Sequence, residues 1–269
     1  MIYVGTSGWM YDDWRGRFYP ADVPRKAWLE FYAGAFATVE INNAFYRLPG
    51  RDTFEAWHSR VGGDFRFAVK MSRYLSHIKR LRDPVEPVAR FMSRATGLGD
   101  RLGPLLLQLP PTMRRDAGLL DATLAEVPAG TRVAVEPRHP SWWHGDVRGV
   151  LESRGAALVW ADRRGRPVTP LWVTAGWGYV RLHEGRARPW PGYGRAALDS
   201  WVHRIGAFGG GDVYVYFNND PGGAAVRDAV AFTRLATAKG LPVSRVTGAV
   251  RQPCPATATS GGSGSRRSG

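Results

Sequence analysis

The sequence is poor in cysteine, in lysine and in long apolar runs. One cysteine, Cys254, occurs in 269 residues, so the chain has no second thiol to pair with it. That usage points to a reducing, cytoplasmic setting. No apolar run reaches the ~18 residues that a membrane-spanning helix needs. The opening MIYVGTSGWMYDDW lacks both a basic start and a long apolar stretch. It reads as a first strand rather than a signal peptide. No GxGxxG opens a helix, which weighs against a dinucleotide-binding fold. HxH, HExxH and DxD are missing too, so no metal motif announces itself.

Basic charge, by contrast, is plentiful. The formal net charge is +14. Only Lys26, Lys70, Lys79 and Lys239 are lysines; the rest is arginine. Such a balance attracts anions, from phosphorylated metabolites to nucleic acids. The arginines are scattered, as in Arg80/Arg82, Arg114/Arg115 and Arg163/Arg164/Arg166, and a coding preference for arginine would look the same.

Short apolar runs alternate with longer stretches that suit helices. The runs 2–7, 38–42, 66–71, 104–109, 132–136, 157–162, 178–183 and 212–218 read as strands. Segments 25–36, 52–61, 85–99, 116–126, 146–154, 196–207 and 223–239 lie between or after them. Eight such units in this length predict a single α/β domain, a (β/α)8 TIM-type barrel. The barrel is expected to occupy residues 1–250. The remainder, 251–269, is made of Ser, Gly, Thr, Pro and Arg and is expected to be a disordered tail holding Cys254.

Residues two apart on a strand share a face. On each predicted strand one face is largely aliphatic and is expected to pack on the helices. The other face turns polar near the C-terminal end. It carries Glu40 and Asn42, then Lys70, Gln108, Glu136, Asp162, Arg181 with His183, and Asn218. Closing the barrel would gather these ends, with Ser7, around one mouth, where barrel enzymes place their chemistry. Glu136 or Glu40 would act as base and Asp162 or His183 as acid. Lys70, Arg138 and Arg181 would hold an anion. The alternative is an internal salt-bridge network that neutralises the mouth. Carboxylates with His183 and His139 would also suit a divalent metal, so the cofactor is left open. Trp9, Trp14, Trp142, Trp143, Trp160 and Trp190 could stack on a sugar or base.

The stretch VYVYFNNDPGGAAVRDA asks why a strand should end in Asn218, Asn219, Asp220 and two glycines. One answer is anion binding at the start of the next helix. The other is a turn capped by Asp220.

GTSGWMYDDWRGRFYP, VEINNAFYRLP, FAVKMSRYLSHIKRL, LLLQLPP, VEPRHPSWW, YVRLHEG and YFNNDPGGAA occur in that order. With these motifs the chain resembles the YecE-like family, also called domain of unknown function 72. The resemblance implies a TIM-type barrel and supplies no reaction. Carried over position by position, its motif residues are Glu40, Asn42, Tyr46, Lys70, His77, Glu136, Arg138, Asp162, Arg181, His183, Asn218, Asn219 and Asp220. Family members often carry Gly directly after the LH pair, where this chain has Glu184 before Gly185. The expected activity is hydrolysis or another acid/base step on an anionic, phosphate- or nucleotide-like small molecule. The alternatives are a nucleic-acid-binding protein using the same basic mouth and a metabolite-binding barrel without turnover. No membrane partner is expected, and the sequence leaves the oligomeric state open.

Overall fold

A computed structural model describes residues 1–247 of the chain. The expected tail at 251–269, with Cys254, lies outside the described residues. Eight parallel strands form the centre: β1 Ile2–Thr6, β2 Thr38–Ile41, β3 Arg66–Lys70, β4 Leu102–Gln108, β5 Val133–Glu136, β6 Ala157–Arg163, β7 Gly178–Leu182 and β8 Val213–Phe217. All eight fall where the apolar runs predict them. The strands pair in the order β1–β8–β7–β6–β5–β4–β3–β2. A two-residue strand, Arg166–Pro167, folds back antiparallel on the end of β6 and stays outside this ring.

The seam between β1 and β2 is the point of closure. A single parallel bridge joins Ser7 to Glu40, and the Gly8 amide donates to the Glu40 carbonyl at 2.8 Å. Gly5 makes this approach possible, because a Cβ there would collide with the Thr38 carbonyl oxygen. The result is a nearly closed barrel with helices around it. The longest are α1 Val85–Ala95, α2 Arg195–Gly206 and α3 Ala224–Ala238.

The apolar interior has two parts. The larger lies between strands and helices and includes Val39, Val69, Leu107, Val135, Leu182 and Phe217. The smaller fills the barrel itself, where Ala68, Leu106, Ala134 and Val159 leave room for Tyr179, Tyr214 and Tyr216. Above that tyrosine layer, the strand ends change to buried polar and charged side chains. No helix among the described residues is long and apolar enough to cross a membrane.

Candidate functional site

Strands β2, β5 and β7 bring Glu40, Glu136 and Arg181 together at the C-terminal end of the barrel. All three are at most 2 % exposed. Arg181 donates to Glu40 through Nε (3.0 Å) and Nη2 (2.8 Å), a two-pronged grip that matches a planar guanidinium to a carboxylate. Its Nη1 donates to Glu136 Oε2 at 2.5 Å. One cation therefore lies between two carboxylates.

The remaining lone pairs are also taken. The Tyr179 hydroxyl donates to Glu40 Oε2 at 2.6 Å and Ser7 Oγ to Oε1 at 2.8 Å. Asn42 Nδ2 adds a bond to the same Oε1 at 3.1 Å. Gln108 Nε2 donates to Glu136 Oε2 at 2.8 Å, and His183 Nε2 meets Oε1 at 3.1 Å. Arg138, half exposed, reaches Oε1 at 3.4 Å. Burial pushes the Glu40 carboxyl up, but Arg181 and the Tyr179 and Ser7 hydroxyls outweigh it and hold the group below its ordinary value. Against the same burial, Arg181 and His183 hold Glu136 well below. Both acids are ionised at neutral pH.

This corrects the expected division of labour. Arg181 is consumed by the two glutamates and has no arm left for a ligand anion. The neutralising network is real for these three residues, yet it does not extend to the whole mouth. Lys70, on β3, is 8 % exposed and its ammonium makes no hydrogen bond to any described residue, its Nζ lying 3.9 Å from the centre of the Phe45 ring. Burial and the nearby Arg181 lower the Lys70 ammonium to about 8. His183 is also lowered by burial, despite its contact with Glu136, so its imidazole is neutral at physiological pH.

A cleft of about 460 Å³ opens beside this cluster, between the loops after β4, β5, β6 and β7. Glu136 and His183 border it, Trp143 stands in its wall, and Arg138 and Arg163 bring positive charge. Of the tryptophans singled out in the sequence, Trp143 is the one that lines it. Trp9, Trp14, Trp142 and Trp160 are buried in the core, and Trp190 is exposed elsewhere on the rim. Arg163 and Phe45 are contributions the sequence did not reveal. Arg163 stands on the interior-facing row of β6, and Phe45 belongs to a short helix after β2.

Several expected residues lie elsewhere. Asp162 faces outward: Trp201 Nε1 and the Tyr193 hydroxyl donate to its carboxylate at 2.7 and 2.5 Å, and the Gly165 amide at 3.0 Å. The facing row of β6 is Ala157, Val159 and Ala161, because the tyrosines inside the barrel need small neighbours there. Leu158 and Trp160 pack outside instead. Asp162 anchors β6 to α2, and burial raises its carboxyl. Tyr46 is 74 % exposed and takes no part in the cluster.

The Asn218 side-chain amide lies against Ser7 Oγ and so touches the cluster through that hydroxyl. Asn219 is locked to the Pro191 carbonyl and Asp228 at 3.1 and 2.6 Å. Burial pushes Asp220 up to about 8. The Gly222 amide at the start of the last helical segment donates to Asp13 Oδ2 at 2.7 Å. The chain's own carboxylate therefore occupies the position proposed for a ligand phosphate. Gly222 and Gly223 have φ of +66° and +69°, which explains why glycines stand there.

His77 sits beside the site, its ring edge-on to Phe45 at 4.9 Å. His139 turns its Nδ1 back to the Ser141 amide at 3.1 Å and caps its own short helix. No group of three His, Cys, Asp or Glu among the described residues is arranged to hold a metal. Between Glu40 and Glu136, the position a divalent ion would take holds the Arg181 guanidinium. The donor set does not fit a metal.

An α/β barrel with an ionic cluster buried at its C-terminal mouth is thus the class of molecule. The chain belongs to the family described as protein of unknown function DUF72, whose model matches residues 3–252. It is 33 % identical over 170 residues to the UPF0759 protein YecE of Escherichia coli, a match spanning 61 % of this chain and 60 % of that protein. A DUF72 family protein from Thermotoga maritima superposes with a TM-score of 0.74 at 26 % identity, over 88 % of this chain and 99 % of the other. One from Enterococcus faecalis gives 0.75 at 20 % identity, over 88 % and 96 %, and supports the fold.

Proposed function

We propose that the protein is an enzyme that binds a small anionic molecule in this cleft and moves a proton on it, in hydrolysis or a related acid/base step. The observation that carries the reading is the Glu136–His183 pair, 3.1 Å apart, at the edge of the 460 Å³ cleft. An ionised Glu136 can only accept, so His183 donates from Nε2. Its Nδ1 then keeps the lone pair and is free to act as general base. Glu136 fixes the tautomer and stabilises the imidazolium that forms, and Arg181 and Gln108 keep Glu136 in place.

The substrate class follows from the lining. Beyond their contacts with Glu136 at 3.4 Å and Glu184 at 3.5 Å, Arg138 and Arg163 offer guanidinium groups to a phosphate or carboxylate, and Trp143 offers a flat face to a ring. Many surface arginines are paired, among them Arg60 with Glu30 at 2.6 Å and Arg154 with Asp121 at 2.6 Å. The net charge of the chain therefore overstates its free positive surface.

The test is to incubate the protein with pools of phosphorylated and carboxylated sugars and nucleotides and follow their conversion by mass spectrometry. His183→Ala is expected to lower turnover by about 10²- to 10⁴-fold while circular dichroism stays unchanged. Equal turnover in the variant, or anions that bind and come through unaltered, would sink the reading.

A further inference from the structure

Among the described residues, Lys70 is a cation at the mouth that this scheme leaves without a chemical task. Its surroundings distinguish it from the other three lysines. Lys79 pairs with Asp83 at 3.1 Å and Lys239 with Asp199 at 2.8 Å. Lys26 is exposed. Lys70 is buried against an aromatic ring, and the two carboxylates whose charge it feels, Glu40 and Glu136, are already bonded to Arg181. Among the described residues no hydrogen-bond acceptor holds its ammonium, which lies over the Phe45 ring. A buried amine without a carboxylate partner loses its proton readily and becomes a nucleophile. An arginine at this position would supply the same charge but could never do so.

We propose that Lys70 is an amine nucleophile that forms an imine with the carbonyl carbon of an aldehyde or ketone bound in the mouth. The free Nζ lone pair attacks the carbonyl carbon and gives a carbinolamine. The carbonyl oxygen then leaves as water, taking with it the two amine hydrogens. Nothing is oxidised or reduced, and water returning to the imine carbon restores both lysine and carbonyl. Once the imine nitrogen takes up a proton from solvent, it withdraws electrons from the neighbouring carbon, whose proton a base such as His183 removes. The inference thus rests on the reading of the mouth as an acid/base site and narrows its substrate to an anion that carries a carbonyl group.

Pyridoxal 5′-phosphate, which has an aldehyde and a phosphate, is a suitable probe. The protein is incubated with it near neutral pH, reduced with borohydride and mapped by peptide mass spectrometry; four lysines make the map simple. Lys70 is expected to be labelled roughly tenfold or more ahead of Lys26, Lys79 and Lys239. Lys70→Arg should lose that label and keep its circular dichroism spectrum. Labelling spread evenly over the lysines, or confined to the exposed ones, would overturn the inference. Pyridoxine 5′-phosphate, which lacks the aldehyde, separates the two claims. If it raises the melting temperature while Lys70 goes unlabelled, the imine falls and the anion site stands. If it neither binds nor slows labelling of Lys70, the amine stands and the anion site loses its support.

Discussion

At the N-terminal end of the barrel a hollow of about 570 Å³ lies among Tyr3, Arg66, Arg132, Asp212 and Tyr214. At the C-terminal end the cleft beside His183 is smaller, about 460 Å³. Size alone would favour the lower end. In the lower hollow Arg132 meets Asp212 at 2.9 Å, with side chains 41 % and 30 % exposed. Water screens that pair, and neither partner is needed to keep the other folded. At the mouth Arg181, Glu40 and Glu136 are almost fully buried, and each would be stranded without the others. The comparison teaches that buried, shared charge, not cavity volume, is what sets the proposed site apart.

The largest test of this contrast is Arg181→Met. It leaves two buried carboxylates uncompensated, and a loss of about 3–5 kcal/mol is expected in urea unfolding at neutral pH. A loss under about 1 kcal/mol would mean that water reaches the cluster. Lys70→Met should move the other way. In the folded protein Lys70 is lowered to about 8, against 10.5 for the free side chain. Between those values the unfolded chain holds a proton that the folded chain has released. Stability therefore rises with pH through this window, and the cost of a charged Lys70 is complete below about pH 8. Removing the charge is expected to stabilise the protein by about 1–3 kcal/mol at pH 7, with the gain shrinking toward pH 10. A variant less stable than the parent at pH 7 would show that Lys70 supports the fold. Arg132→Ala, at the opposite end, should change stability by no more than about 1 kcal/mol, and less in high salt. A larger loss would erase the difference between the ends.

The eight strands were legible because each is a short apolar run between helical segments. Alternation also gave the right face for Glu40, Lys70, Glu136 and Arg181. It failed on β6, because the rule assumed that the more apolar face always meets the helices. A barrel has an apolar interior as well as an apolar exterior, and in β6 both rows are apolar up to Ala161. Bulk decided the matter: Trp160 and Leu158 fit only outside, and Asp162 went with them. Alternation also could not foresee which charges would consume each other. Arg181 and Lys70 look alike as cations on the interior face, but among the described residues one makes three side-chain hydrogen bonds and the other none. Nor could it show that Asp13, 209 positions away in the chain, would sit on the Gly222 amide.

The ionic cluster also bears on how the protein comes to exist as an active species. The Arg181 bond to Glu40 bridges a separation of 141 residues, and that to Glu136 bridges 45. Glu40 stands on the second strand of the ring and Arg181 on the seventh, so a chain emerging from synthesis carries both acids long before their common partner arrives. Until then the two carboxylates lack the guanidinium that neutralises them. The finished mouth therefore needs the second, fifth and seventh strands together, and a chain ending before the seventh cannot hold it.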